Sequence, residues 1–189
     1  MLQKRLVYKY LWVDRYCIDQ KNHTEKHAQL RRMGRIYRNA ALTIIVAAGS
    51  DPDYGLPGVS LRARTAQLRS TVDDITLVSL PFDPITLIAK SAWISRAWTF
   101  QEGLLSRKRV FFTDQLVYAD CQTTEFDESV KKVERCTRDY IYRSSFGTPI
   151  INEKRSYLTD MCRYIAEYSK RKLTLDSDYL SGFVGVFAI

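Results

Sequence analysis

"ALTIIVAAG" (Ala41–Gly49) is a short run of β-branched and small apolar residues closed by a glycine. Its length suits a strand, and its unbroken apolarity is the pattern of a parallel strand covered on both faces. Upstream, Asn22 stands three residues before Glu25, the spacing of a capping box at a helix start. Ala28, Leu30, Met33, Ile36 and Tyr37 then follow helical spacing, interleaved with Arg31, Arg32, Arg35 and Arg38. That is an amphipathic helix with a basic outer face. Further upstream, "YLWV" (Tyr10–Val13) reads as a buried strand ending at Asp14. Strand, helix, strand in this order is a βαβ unit, which predicts an α/β layered fold on a parallel sheet.

Downstream, "GSDPDYGLPG" (Gly49–Gly58) is rich in turn formers. Its glycines fit neither a Walker A loop nor G-x-G-x-x-G, so it is not read as a phosphate cradle. Ser60 to Pro84 is polar, with strand-like pieces such as "ITLVSLPF" (Ile75–Phe82), and reads as an insertion or a hairpin. "KRVFFTDQLVYADC" (Lys108–Cys121) holds two apolar runs around Thr113-Asp114-Gln115, a β-hairpin pattern. From Glu125 the pattern turns charged and helical, and "TDMCRYIAEYSKRK" (Thr159–Lys172) places Met161, Ile165 and Tyr168 on one side of a helix. The division expected is an α/β domain over 1–122 and a mainly helical extension over 123–189. The chain starts almost in a core strand and stops in the apolar "YLSGFVGVFAI" (Tyr179–Ile189). Both features predict a fragment.

The chain of 189 residues carries 29 Lys and Arg against 21 Asp and Glu, a net charge of +8. A basic surface suits anionic partners without choosing among them. The clusters Arg31/Arg32/Arg35/Arg38 and Lys170/Arg171/Lys172 stand without a recognisable nucleic-acid module, so they read as solvated or partner-facing surfaces. Nucleic-acid binding is the weakest of the readings carried. Cys17, Cys121, Cys136 and Cys162 form no C-x-x-C pair, which leaves no zinc signature and no disulfide framework and points to a reducing, cytoplasmic compartment. The longest apolar run, Ala40 to Ala48, falls short of the ~20 residues of a membrane helix. His23 and His27 have zinc-pair spacing, but Thr24 replaces the glutamate a metalloprotease would need. Cys17 reads as a buried small residue.

Four blocks carry a family resemblance: "YLWVDRYCIDQ" (Tyr10–Gln20), "MGRIYRNAALTIIVAAG" (Met33–Gly49), "SRAWTFQEGLLSRKRVFF" (Ser95–Phe112) and "YSKRKLTLDSDYLSG" (Tyr168–Gly182). In order and spacing they resemble the fungal heterokaryon-incompatibility (HET) domain. The family's upstream strand and tryptophan-glycine motif have no counterpart here, so the sheet is expected to lack its usual first strand. The resemblance implies a cytoplasmic module of nonself recognition that triggers programmed cell death, acting through protein partners or self-association. The family is also remotely similar to the Toll/interleukin-1 receptor (TIR) domain, which implies a TIR/flavodoxin-like core. In TIR domains that are enzymes, a serine-x-tryptophan-cysteine block precedes a glutamate needed to cleave NAD. Ser95, Trp98 and Glu102 occupy comparable places, with Thr99 where that block has cysteine.

If Ser95 caps a helix starting at Arg96, Trp98 and Glu102 stand one turn apart on the same face. A carboxylate held against an indole is partly desolvated, and its pKa rises. One carboxylate suffices for NAD, because the bound nicotinamide is already a cationic leaving group, departs neutral and needs no general acid. An ordinary glycosidase uses two. Glu102 is therefore the candidate catalytic residue, and its alternative is an ion pair with Arg96 or Arg107. Asp14, at the carboxyl end of a predicted strand, is placed to contact a ribose hydroxyl, and Asp19 and Gln20 to line the same rim. Asp19 also fits a simple turn. Ser95, Arg96 and Trp98 complete the ligand-binding set. No cofactor is required, and NAD enters as a candidate substrate.

Overall fold

A computed structural model describes residues 8–51, 53–59, 62–80, 82–121, 124–129, 132–135, 157–173 and 178–188. In chain order the elements are α1 (Asp14–Cys17), α2 (His23–Asn39), β1 (Thr43–Val46), β2 (Arg69–Val72), β3 (Ile75–Val78), α3 (Pro84–Ala89), α4 (Ala92–Ser95) and α5 (Thr99–Leu105). They continue with β4 (Lys108–Phe112), β5 (Val117–Cys121), β6 (Thr124–Asp127), β7 (Lys132–Arg135), α6 (Tyr157–Ser169) and a 3₁₀ turn (Val184–Ala188). The fold is mixed α/β, as expected, with a five-stranded sheet in the order β1-β4-β5-β6-β7.

The sheet is less parallel than the sequence suggests. Only β1 and β4 run parallel; β4-β5, β5-β6 and β6-β7 are antiparallel. The reason is local. After β4 the chain reverses in a tight turn where Thr113 Oγ1 accepts from the amides of Gln115 and Leu116 and donates to the Leu116 carbonyl, and a connection this short can only pair antiparallel neighbours. The hairpin read around Thr113 is thus present. β6 and β7 stand where the charge pattern suggested helix. In β6 it is Glu125 that is buried, its Oε2 accepting from the Tyr118 hydroxyl at 2.8 Å.

The expected strand at "YLWV" is a second correction. Residues 8–13 form no strand, and Tyr10 is 80% exposed. No residue of this segment is buried; half-buried Trp12 meets the Tyr37 ring edge-on at 5.9 Å. Asp14 therefore opens a single helical turn instead of ending a strand. Cys17 is exposed instead of buried, with its sulfur accepting from the Val13 amide at 3.4 Å. By contrast α2 starts as read: the Asn22 side chain accepts from the Glu25 amide at 3.1 Å, satisfying one of the free N–H groups of the first turn.

Two apolar cores frame α5. One face of the sheet presents Ile45, Phe111 and Tyr118 in register, packed with Ile85, Ile88, Trp93 and Leu116. The second core joins Phe100, Leu104 and Leu105 of α5 to Tyr164 and Tyr168 of α6 and to Phe183 and Val186 near the 3₁₀ turn. The apolar tail thus divides: Phe183 and Val186 are buried, while Leu180, Val184 and Phe187 stay exposed. Arg109 and Asp120, directly opposite in β4 and β5, form a buried two-point ion pair at 2.7–2.8 Å, and Arg109 also donates to the Gly103 carbonyl of α5. Arg109 thereby ties α5 to the sheet. The β2-β3 hairpin stands apart with every residue exposed. Among the described residues no helix is long and apolar enough to cross a membrane.

Candidate functional site

The stretch Trp93–Glu102 is two short helices and a break. Ser91, not Ser95, caps α4, its Oγ accepting from the Ile94 amide at 3.4 Å. Ser95 ends that helix with its hydroxyl turned back to the Ala92 carbonyl. The chain is extended at Arg96 and bends at Ala97, and here it forms a two-bond bridge to the segment after α6: Lys172 N donates to the Ser95 carbonyl at 2.7 Å and Ala97 N to the Lys172 carbonyl at 3.0 Å. Arg171 supports this bridge from below, over the Phe100 ring at 4.8 Å and within reach of Thr99 Oγ1. Burial lowers its pKa to about 10, which leaves it charged at neutral pH. The break presents Arg96 outward and leaves Trp98 as the N-cap of α5.

Because of the break, the indole that reaches Glu102 is Trp93 and not Trp98. Trp93 Nε1 donates to Glu102 Oε2 at 3.2 Å. Burial of the carboxyl group raises its pKa from 4.5 to about 7; the Trp93 N–H opposes the rise, the Asp14 charge adds to it and Arg96 offsets part of it. Tyr37 belongs to the same set. Its phenol is pushed upward by burial first and then by the Glu102 and Asp14 charges, against Arg96. Two carboxylates, a phenol and a guanidinium from α1, α2, α5 and the α4-α5 break thus share one electrostatic field. A carboxyl group that titrates near neutrality beside a neutral phenolic donor is an arrangement enzymes use for proton transfer or for holding developing charge.

An open cleft of ≈150 Å³ lies beside this set. Its polar wall is Asp14, Gln20, Lys26, Arg96 and Asp178, and its apolar wall is Ile18, Leu30, Met33 and Trp98. Of the residues singled out in the sequence, the structure brings Asp14, Gln20, Arg96 and Trp98 together in the lining. Glu102 stands behind them, half-buried and in charge contact with Asp14 and Arg96. Asp19 takes its turn role, its Oδ1 accepting from the Lys21 amide at 2.9 Å, and neither it nor Ser95 belongs to the lining. Among the described residues no group of three or more His, Cys, Asp or Glu is arranged to hold a metal.

Sequence reasoning missed Trp93, Tyr37, Lys26 and Asp178. Tyr37 and Lys26 sit on α2, whose helical pattern already placed Tyr37 on the inner face with Met33. Nothing local signals Asp178, which arrives from the far end of the chain, within the fourth of the sequence blocks quoted above.

Residues 1–102, more than half the chain, match the family model described as "Heterokaryon incompatibility protein (HET)". No curated protein and no solved structure gives a match. The chain belongs to the heterokaryon incompatibility family.

Proposed function

We propose that this chain, as a member of the heterokaryon incompatibility family, is a signalling module of fungal nonself recognition that triggers programmed cell death through assembly with itself or with protein partners. The observation that carries this reading is the family match over residues 1–102. The test is inducible expression in fungal cells with viability and particle size followed together. Growth arrest that accompanies assembly supports the reading. Viable cells holding assembled protein overturn it.

A second reading is favoured by Glu102: the assembled module cleaves NAD in the manner of enzymatic TIR domains. In that reaction the bond between the ribose anomeric carbon and the nicotinamide nitrogen breaks, and the electron pair leaves with nicotinamide. Water then adds to the oxocarbenium-like ribose and releases a proton. In this reading ionised Glu102 balances the positive charge that develops on the ribose, Asp14 and Gln20 take its hydroxyls, and Arg96 and Lys26 take the phosphates; what supports it is that the last four residues line the cleft and that Glu102 is in charge contact with Asp14 and Arg96. Supporting this reading are the desolvated carboxyl group and the mixed cleft beside it. Release of free nicotinamide by the wild type but not by Glu102→Gln is its direct test. Cell death that persists in Glu102→Gln removes the enzyme reading and leaves the signalling one standing.

A further inference from the structure

Glu102 receives a single hydrogen bond among the described residues, from Trp93, while its Oε1 makes none. The donor is unusually well held. Trp93 is 7% exposed, packs edge-on against Phe111 at 5.7 Å, and belongs to the core beneath the sheet with Ile45, Ile88 and Tyr118. Glu102 belongs to α5, whose apolar residues Phe100 and Leu104 belong to the other core. Thr99 fastens the two helices, its hydroxyl lying 2.6 Å from the Trp93 carbonyl and 2.7 Å from that of Arg96. The Trp93–Glu102 contact therefore joins a side chain held in one core to a helix held by the other. An exposed glutamate samples several rotamers, and a bond to a locked indole selects one.

We infer that Trp93 is a positioning residue for Glu102: its indole N–H fixes Oε2 in one place and leaves Oε1 to meet a ligand at the cleft. This rests on the reading that Glu102 is the working carboxylate. The other groups facing Glu102 are Asp14 from α1, Tyr37 from α2 and Arg96 from the break. None of them donates a hydrogen bond to it among the described residues, so the N–H contribution is separable from theirs. Any buried indole N–H needs an acceptor, so the two roles are separated by whether Glu102 responds when the donor is removed.

The experiment is a ¹³C NMR titration of the Glu102 carboxyl group in the full chain, in the wild type, Trp93→Phe and Phe111→Leu. Phenylalanine keeps most of the packing and removes the donor, whereas Phe111→Leu loosens the same core and keeps the donor. Losing a hydrogen bond to a carboxylate is expected to raise the proton affinity of Glu102 roughly tenfold in Trp93→Phe, with Phe111→Leu unchanged. An unchanged midpoint in Trp93→Phe, or an equal shift in Phe111→Leu, overturns the inference. Should Trp93→Phe fail to fold, the wild-type indole N–H resonance decides: it is expected to move with the Glu102 titration, and a resonance without that inflection overturns the inference. Nicotinamide release, measured alongside, keeps the two questions apart. Absence of turnover in the wild type removes the enzyme reading while the titration still reports the contact, and full turnover by a Trp93→Phe protein with a shifted midpoint removes the positioning role.

Discussion

Replacing Glu102 by glutamine is expected to stabilise the protein, and to do so only where the carboxyl group would be ionised. Glutamine keeps the side-chain length and an oxygen that can accept from Trp93 Nε1. The carboxyl pKa is about 7 in the fold against an ordinary 4.5. The folded state therefore holds the proton more tightly than the unfolded chain, so stability falls as pH rises between these two values. At about 1.4 kcal/mol per tenfold in proton affinity, and allowing for the contact Glu102 keeps with the surface, ionisation costs about 2–3 kcal/mol above pH 7. For a chain of this size that is roughly 4–12 °C in Tm. Urea unfolding followed by far-UV circular dichroism at pH 5 and pH 8 measures it directly. The gain from Glu102→Gln should be about 2–3 kcal/mol at pH 8 and under about 1 kcal/mol at pH 5. An equal gain at both values, or a loss at pH 8, would refute the claim that the carboxyl group is desolvated. A residue that lowers stability at working pH is the kind retained for chemistry.

Asp14→Asn should lower the Glu102 midpoint and Arg96→Met should raise it, because one charge opposes ionisation and the other favours it; ¹³C titration of the carboxyl group reads both signs. Gly185→Ala should destabilise by about 2–3 kcal/mol in urea unfolding, since a methyl group there would run into the Gln101 side chain and lie 3.1 Å from Gly34 Cα. Arg109→Ala should cost about 3–5 kcal/mol in the same assay by leaving Asp120 in its site without its two-point partner.

The parts of the fold legible in sequence were those governed by neighbours. Asn22 and Glu25 marked the start of α2, "TIIV" marked β1, and Thr113 marked the β4-β5 turn, because caps, strands and tight turns need particular residues at fixed offsets. "YLWV" misled because its tryptophan is only half-buried, and for a different reason: Trp12 packs edge-on against Tyr37. β6 misled because a buried glutamate looks, in sequence, like a solvated one; the Tyr118 hydroxyl that satisfies it lies on another strand. Glu102 was found, but its indole was not. Helical spacing pointed to Trp98, whereas the break at Arg96 and Ala97 resets the register and brings Trp93 to the carboxylate. The bridge from Lys172 that holds this break open is a long-range pairing, and no local pattern announces one.

In the NAD-cleaving reading, Glu102 is the working carboxylate of the site. Incubating the assembled protein with NAD near pH 8, where Glu102 is ionised, and quantifying free nicotinamide beside Glu102→Gln tests it most directly. Steady release by the wild type that disappears in the more stable glutamine variant is the expected result. Equal release by the two proteins, or none from an assembled wild type, would contradict it.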